Sequence, residues 1–235
     1  MEKSIIISIK PEWVEKILNG EKTIEIRKSM PKCELPIDVY IYCTKSDINL
    51  YKVIRENYVY FSGAVAEPFD TQISFSLTKE KLDRKYRDNI DNGFSDIFTN
   101  ILNGKIVAKF TLNKVDKLEY EITDTDDFQG FTEIAKFNYG ELEDKCCLKD
   151  YEIDKYLEFC SGYAWHIENL KFFKPMELNE FYKGNYEQII DHLQTVGCDS
   201  ICCPHLYDEG CDIMYCPSLK IKKAPQSWCY CYKEN

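Results

Sequence analysis

Gly20-Glu21-Lys22-Thr23-Ile24-Glu25-Ile26-Arg27-Lys28 puts a turn, a change of hydrophobic period and a set of charged side chains into nine residues. Before it, Val14, Ile17 and Leu18 recur at helical spacing after Pro11, which suits a first helical turn, and Asn19-Gly20 supplies the C-cap. From Thr23 the period becomes two, with Ile24 and Ile26 on one strand face and Thr23, Glu25 and Arg27 on the other. Residues two apart on a strand sit about 7 Å apart, so Glu25 and Arg27 can pair while the guanidinium fork is still offered to a phosphate or a base edge. Lys22, just after the turn, can swing over the same spot. Such a trio fixes an anionic, hydrogen-bonding ligand by geometry rather than by field. The alternative is an ordinary solvated strand face carrying a surface ion pair worth little.

Working outward, Ile5-Ile6-Ile7 is too continuous for a half-exposed strand and reads as a strand buried on both faces. Val39 to Tyr42 reads as the next strand. Residues 46 to 104 break the strand rhythm and read as a partly helical insertion, with helices at Thr78 to Ile90 and Ser95 to Leu102 before Asn103-Gly104. Strands are expected at Lys105 to Leu112, Leu118 to Ile122, Tyr163 to Leu170 and Gln226 to Tyr232, and helices at Asp150 to Cys160 and Asn185 to Val196. Short strands interrupted by helices, without regular alternation, argue for one compact α+β mixed barrel over residues 1–235 rather than a doubly wound sheet. On the last strand Trp228, Tyr230 and Tyr232 share a side; Tyr230 and Tyr232 suit the core, Gln226 and Trp228 a cleft.

The chain has 235 residues, of which 44% are apolar, enough to bury a substantial core. No apolar run approaches the roughly 18 residues of a membrane span, and the start lacks a signal-peptide apolar region, so a cytoplasmic protein without membrane contact is expected. Thirty basic against 40 acidic side chains give a net charge of −10, which excludes coating of duplex DNA by long-range attraction. Glu121 to Asp144 alone holds eight carboxylates against Lys136, and reads as a loop or solvated surface. The first 45 residues carry eight basic and seven acidic groups, and Pro217 to Asn235 carries four lysines and one glutamate, so an anion can still be held near the two ends. No G-x-S-x-G, H-E-x-x-H, P-loop or G-x-G-x-x-G is present. His166-Ile167-Glu168 imitates half of a zinc deaminase signature, but no Pro-Cys-x-x-Cys follows.

The order strand, helix, then G-x-K-x-x-E-x-R resembles the ASCH domains, a branch of the PUA-like β-barrels. Ile5 to Lys10, Pro11, Trp13, Ile41 to Lys45, Gly104 to Phe110, Gly162 to Ile167, Pro175 to Phe181 and the ending Ala224-Pro225-Gln226-Ser227-Trp228-Cys229-Tyr230 agree with the longer ASCH proteins of phages and prophages. The likeness spans the chain apart from two insertions, 46–104 and 184–217, the second a helix plus a cysteine-rich loop. It implies a PUA-like mixed β-barrel with flanking helices, whose cleft holds RNA or a nucleotide and is lined by Lys22, Glu25 and Arg27; Thr23 of the same segment, Lys45 and, next to the Pro225 turn, Gln226 and Trp228 are further ligand-binding candidates. One enzyme branch removes the acetyl group from N4-acetylcytidine with the motif lysine and a threonine three residues later. Glu25 stands at that threonine's place, and a carboxylate does not copy a hydroxyl nucleophile. As a hydrolase of a modified nucleoside or RNA, the chain would rely on Lys22 and Glu25, which in a ribonuclease would serve as acid and base. As an interaction protein it would engage a host protein through 46–104 and the acidic surface.

Twelve cysteines in a chain read as cytoplasmic are thiols or metal ligands rather than disulfides. Cys198, Cys202, Cys203, His205, Cys211 and Cys216 lie together, and four of them at this spacing can close a tetrahedral structural zinc site. Reduced cysteines packed as small hydrophobes are the alternative. Cys146-Cys147, beside the acidic run, receive no role. Purified without chelator, the protein is expected to carry one zinc per chain by elemental analysis; substoichiometric zinc removes the site.

Overall fold

In a computed structural model, residues 3–61, 64–65, 68, 70–77, 93–119, 139–184 and 219–233 are described. The isoleucine run forms β1 (Ser4–Ile9) at the middle of a six-stranded sheet. β1 pairs in parallel with β3 (Ile37–Cys43) and antiparallel with β13 (Trp228–Lys233). Outside β3 lie β8 (Ile106–Leu112) and β11 (Glu168–Met176), and outside β13 lies β12 (Phe181–Lys183), all antiparallel to their neighbours. Contiguous isoleucines are what such a strand requires, because both of its faces are covered. Ile5, Ile7 and Ile9 pack with Val14 and Ile17 of α1 (Pro11–Leu18) and with Trp165, while Ile6 packs on the opposite face with Phe181, Ile221 and Cys231.

A second, three-stranded antiparallel sheet consists of β2 (Ile24–Arg27), β10 (Gly162–His166) and β9 (Val115–Leu118). Its two faces have different chemistry, as the period of two at 23–27 requires. Ile24, Ile26 and Ala164 pack against Leu142 and Cys146 of α2 (Tyr139–Cys146) and against Ile153 and Leu157 of α3 (Asp150–Leu157). Glu25 and Arg27 face the other way, and all four β2 residues are buried.

A third sheet holds β4 (Tyr51–Phe61) between β6 (Asp70–Ser76) and β7 (Gly93–Ile101), with the short β5 (Ala64–Val65) at the end of β4. This corrects the expectation of helix at Ser95 to Leu102. The i, i+4 pair Ile97 and Ile101 imitates a helical stripe, but Ile97, Thr99 and Ile101 also alternate along the chain, and nine backbone pairings to β4 decide for strand. The helix expected at Thr78 to Ile90 lies outside the described residues, as does that at Asn185 to Val196. At the acidic run and its border, Glu141, Glu143 and Asp144 lie on α2 rather than in a loop, with Glu141 and Asp144 exposed as a solvated surface requires, and the strand expected from Leu118 ends there instead, as β9. Among the described residues no helix is long and apolar enough to cross a membrane. The described residues are mostly strand in mixed sheets with few helices, an α+β fold.

Gly162 starts β10 where it passes beneath α3. A Cβ at this position would lie 2.5 Å from Leu157 Cδ2 and 3.2 Å from the Arg27 carbonyl oxygen. Leu157 is 1% exposed and has little room to yield. Gly162→Ala is expected to cost about 1–3 kcal/mol, read as a lower urea midpoint with an unchanged m-value.

Candidate functional site

Past the end of α1 the chain reverses through Gly20, whose φ of 78° suits a residue without a side chain. Backbone N–H groups of Glu21 and Lys22 both donate to the Lys16 carbonyl, and the next residues enter β2 with Lys22 turned inward. Lys22 is 2% exposed, Glu25 8% and Arg27 6%. Glu25 accepts from both cations, with Lys22 Nζ at 3.3 Å from Oε2 and Arg27 Nη2 at 2.9 Å from Oε1.

Each cation also reaches outside the trio. The Lys22 ammonium donates to the Cys146 carbonyl at 2.6 Å, where α2 ends, a position at which the helix dipole favours positive charge. It lies 5.4 Å from the Trp13 ring centroid. Arg27 Nη2 donates to the Ser8 carbonyl on β1 at 2.8 Å, and Nη1 donates weakly to Ser227 Oγ at 3.4 Å. Arg27 Nε is buried and finds no acceptor among the described residues. Two formal positive charges against one carboxylate leave the buried group with a surplus of +1, which suits an acceptor or an anion.

The trio forms part of the wall of a cleft of about 1130 Å³. Among the described residues six basic side chains line it, Lys10, Lys22, Arg27, Lys45, Lys222 and Lys223, against three acidic ones, Glu25, Glu152 and Glu177. A chain with net charge −10 thus builds a hollow with local excess positive charge. Trp13 and Tyr156 add aromatic surface to the lining. Gly104, at φ 78°, lets the stem of Lys45 lie against the backbone, since a Cβ there would come within 3.0 Å of Lys45 Cε.

The residues singled out in the sequence divide. Lys22, Glu25 and Arg27 converge, and Lys45 and Gln226 line the same cleft. Thr23 does not line it: the residue is exposed, and its backbone bonds to the Lys145 carbonyl and the Ile167 N–H. Trp228 is also absent from the lining; its ring packs 6.0 Å from that of Trp165, and its indole N–H donates to Ser29 Oγ at 3.1 Å. The six-residue metal set from Cys198 to Cys216 lies outside the described residues. His166 is a structural partner of Asp116 at 2.6 Å and lies away from the cleft lining. Although burial pushes the Asp116 carboxyl up, hydrogen bonds from Lys114 and His166 hold it below its ordinary value. Sequence reasoning assigned no role in the cleft to Trp13 or Tyr156, which tertiary packing brings there. It also missed the Cys146 carbonyl, a backbone group that no side-chain motif reports. The basic balance near the two ends was the available signal for Lys10, Lys222 and Lys223.

Comparison with protein families finds that the ASCH domain model matches residues 7–180, about three quarters of the chain, and the chain belongs to the ASCH domain family. Among solved structures, ASCH from Zymomonas mobilis is 12% identical, with 96% of this chain and 85% of that chain covered and a TM-score of 0.41. A serine-to-alanine mutant of the Zymomonas mobilis protein is 12% identical, covering 80% of this chain and 78% of that chain with a TM-score of 0.37. No curated protein matches.

The buried trio and an exposed pair make opposite predictions. Glu25→Gln strands two buried cations and is expected to destabilise by about 3–5 kcal/mol. Glu158→Gln, which breaks the Lys28–Glu158 pair between side chains 48% and 76% exposed, is expected to stay within about 1 kcal/mol. Urea titrations of the two variants measure the difference.

Proposed function

We propose, from the premise of ASCH-family membership, that the cleft beside Lys22, Glu25 and Arg27 binds RNA or a nucleotide. The observation that carries this reading is the local reversal of charge. Among the described residues six cationic side chains, two of them buried, surround one hollow in a protein whose overall charge repels polyanions. Long-range attraction is weak for such a chain, so affinity comes from short-range contacts, as a phosphate held by a lysine or guanidinium provides. The rim lysines Lys45, Lys222 and Lys223 meet phosphate, and Trp13 and Tyr156 offer rings for a base. The volume exceeds that of an ordinary small-molecule pocket, roughly 300–1000 Å³, which favours a nucleotide within a strand over an isolated one.

A hydrolase of a modified nucleoside such as N4-acetylcytidine, or of RNA, is the second reading, favoured by the 3.3 Å approach of Lys22 to Glu25. Against it, Glu25 is shared between two cations, and Lys22 is committed to a backbone carbonyl, so neither group is free to act as a base. A host-protein partner is favoured by one feature: Ile73, Ile54 and Phe98 stand in register across β6, β4 and β7, with Ile73 43% and Phe98 48% exposed. The acidic stretch that would assist it lies mostly outside the described residues.

Calorimetric titration with short single-stranded RNA and with nucleoside monophosphates tests the reading. Binding is expected to weaken with salt, and Lys222→Ala and Lys223→Ala are each expected to reduce the log–log salt slope by roughly 0.7. Trp13→Ala is expected to lose about 1–3 kcal/mol of affinity. Absence of binding to either ligand overturns the proposal, and cytidine released from N4-acetylcytidine moves the assignment to the hydrolase.

A further inference from the structure

The end of α2 and the turn that carries Lys22 are clasped residue by residue. Thr23 donates its backbone N–H to the Lys145 carbonyl at 2.8 Å, Lys22 donates its ammonium to the Cys146 carbonyl at 2.6 Å, and Cys147 donates its thiol to the Glu21 carbonyl at 3.5 Å. Adjacent cysteines therefore make two of the three links. Cys146 is fully buried as the last residue of α2. Cys147 is half-buried and holds φ at 56°, a left-handed conformation that carries strain in a residue with a Cβ.

We infer that Cys146 and Cys147 form an oxidation site for hydroperoxides, which joins them in a vicinal disulfide and unclasps Lys22. The half-buried Cys147 sulfur, as thiolate, attacks one peroxide oxygen; an S–O bond forms, the O–O bond breaks, and hydroxide leaves to be protonated. The Cys146 sulfur then attacks the Cys147 sulfur, forming the S–S bond as the S–O bond breaks and a second water departs. Two thiols are oxidised, and one hydrogen peroxide is reduced to two waters. Burial pushes the Cys146 thiol up, which suits a resolving group that stays protonated until its neighbour has reacted.

Ring closure acts on the site through one peptide unit. Adjacent Cα atoms are about 3.8 Å apart, below the usual span of roughly 4.4–6.8 Å for a disulfide, so the enclosed peptide must turn. That peptide contains the Cys146 carbonyl, which is the Lys22 acceptor. The same closure takes the Cys147 sulfur from the Glu21 carbonyl, leaving only the Thr23 link. A disulfide forced from its preferred span is readily reduced, so a thiol reductant restores the clasp. The device operates whatever the cleft binds.

Trypsin, cutting after Lys145 and Lys149, releases Cys146-Cys147-Leu148-Lys149, which contains no other cysteine. After the full chain is treated with hydrogen peroxide, mass spectrometry is expected to show this peptide lighter by two hydrogen atoms and restored by dithiothreitol. Lys22, buried in the reduced protein, is expected to react several-fold faster with an acetylating ester after oxidation. Cys147→Ser, with Cys147→Ala as a second variant, is expected to keep Lys22 protected under the same treatment. Oxygen added to the peptide in place of lost hydrogens, a disulfide that leaves Lys22 protected, or unmasking of Lys22 in either variant overturns the inference.

Discussion

One carboxylate shared by two buried cations holds three parts of this molecule together. Glu25 sits on β2 between Lys22 and Arg27; Lys22 reaches on to the end of α2, and Arg27 to the backbone of β1 and, weakly, to Ser227 beside β13. The small sheet, the central sheet and a helix thus meet at charged groups rather than only at apolar ones. Such a joint is a poor source of net stability, because desolvating three charges offsets most of their attraction. Its contribution is to position, since only one mutual placement satisfies all three heads. A surplus positive charge kept away from water is also what a binding site for an anion requires.

The contrast between the cleft and the whole chain explains how an acidic protein can present such a site. Exposed charges more than about 10 Å apart are largely screened in salt, whereas groups lining one hollow are not. The net charge of −10 meanwhile discourages indiscriminate association with polyanions. Selectivity follows from this arrangement more than affinity does.

The parts of the fold that could be read from the sequence are those in which local periodicity and burial agree. Ile5-Ile6-Ile7 has no polar side and lies between two apolar clusters, and the alternation at 24–27 separates an apolar face from a charged one. Where local pattern and long-range pairing disagree, pairing decides: Ser95 to Leu102 carries a helical spacing of isoleucines, yet β4 recruits it as a strand. The trio was legible because its members are close in sequence. Trp13 and Tyr156 were not, because a helix from each end of the domain match delivers them, and Thr23 and Trp228 show that neighbours of a motif need not share its cleft. The Cys146 carbonyl was beyond reach of any motif, since backbone acceptors carry no residue identity.

The placement of β1 beside β13 has a consequence for how the chain is made. Residues 4–9 leave the ribosome first among the central strands, but their partner at 228–233 emerges more than two hundred residues later. At about 5–20 residues per second the interval is roughly 10–40 s. Throughout it, a run of isoleucines with one open edge resembles the segments that seed aggregation. Translation speed and chaperone capture of the nascent chain therefore bear on the yield of this fold more heavily than its final contacts would suggest.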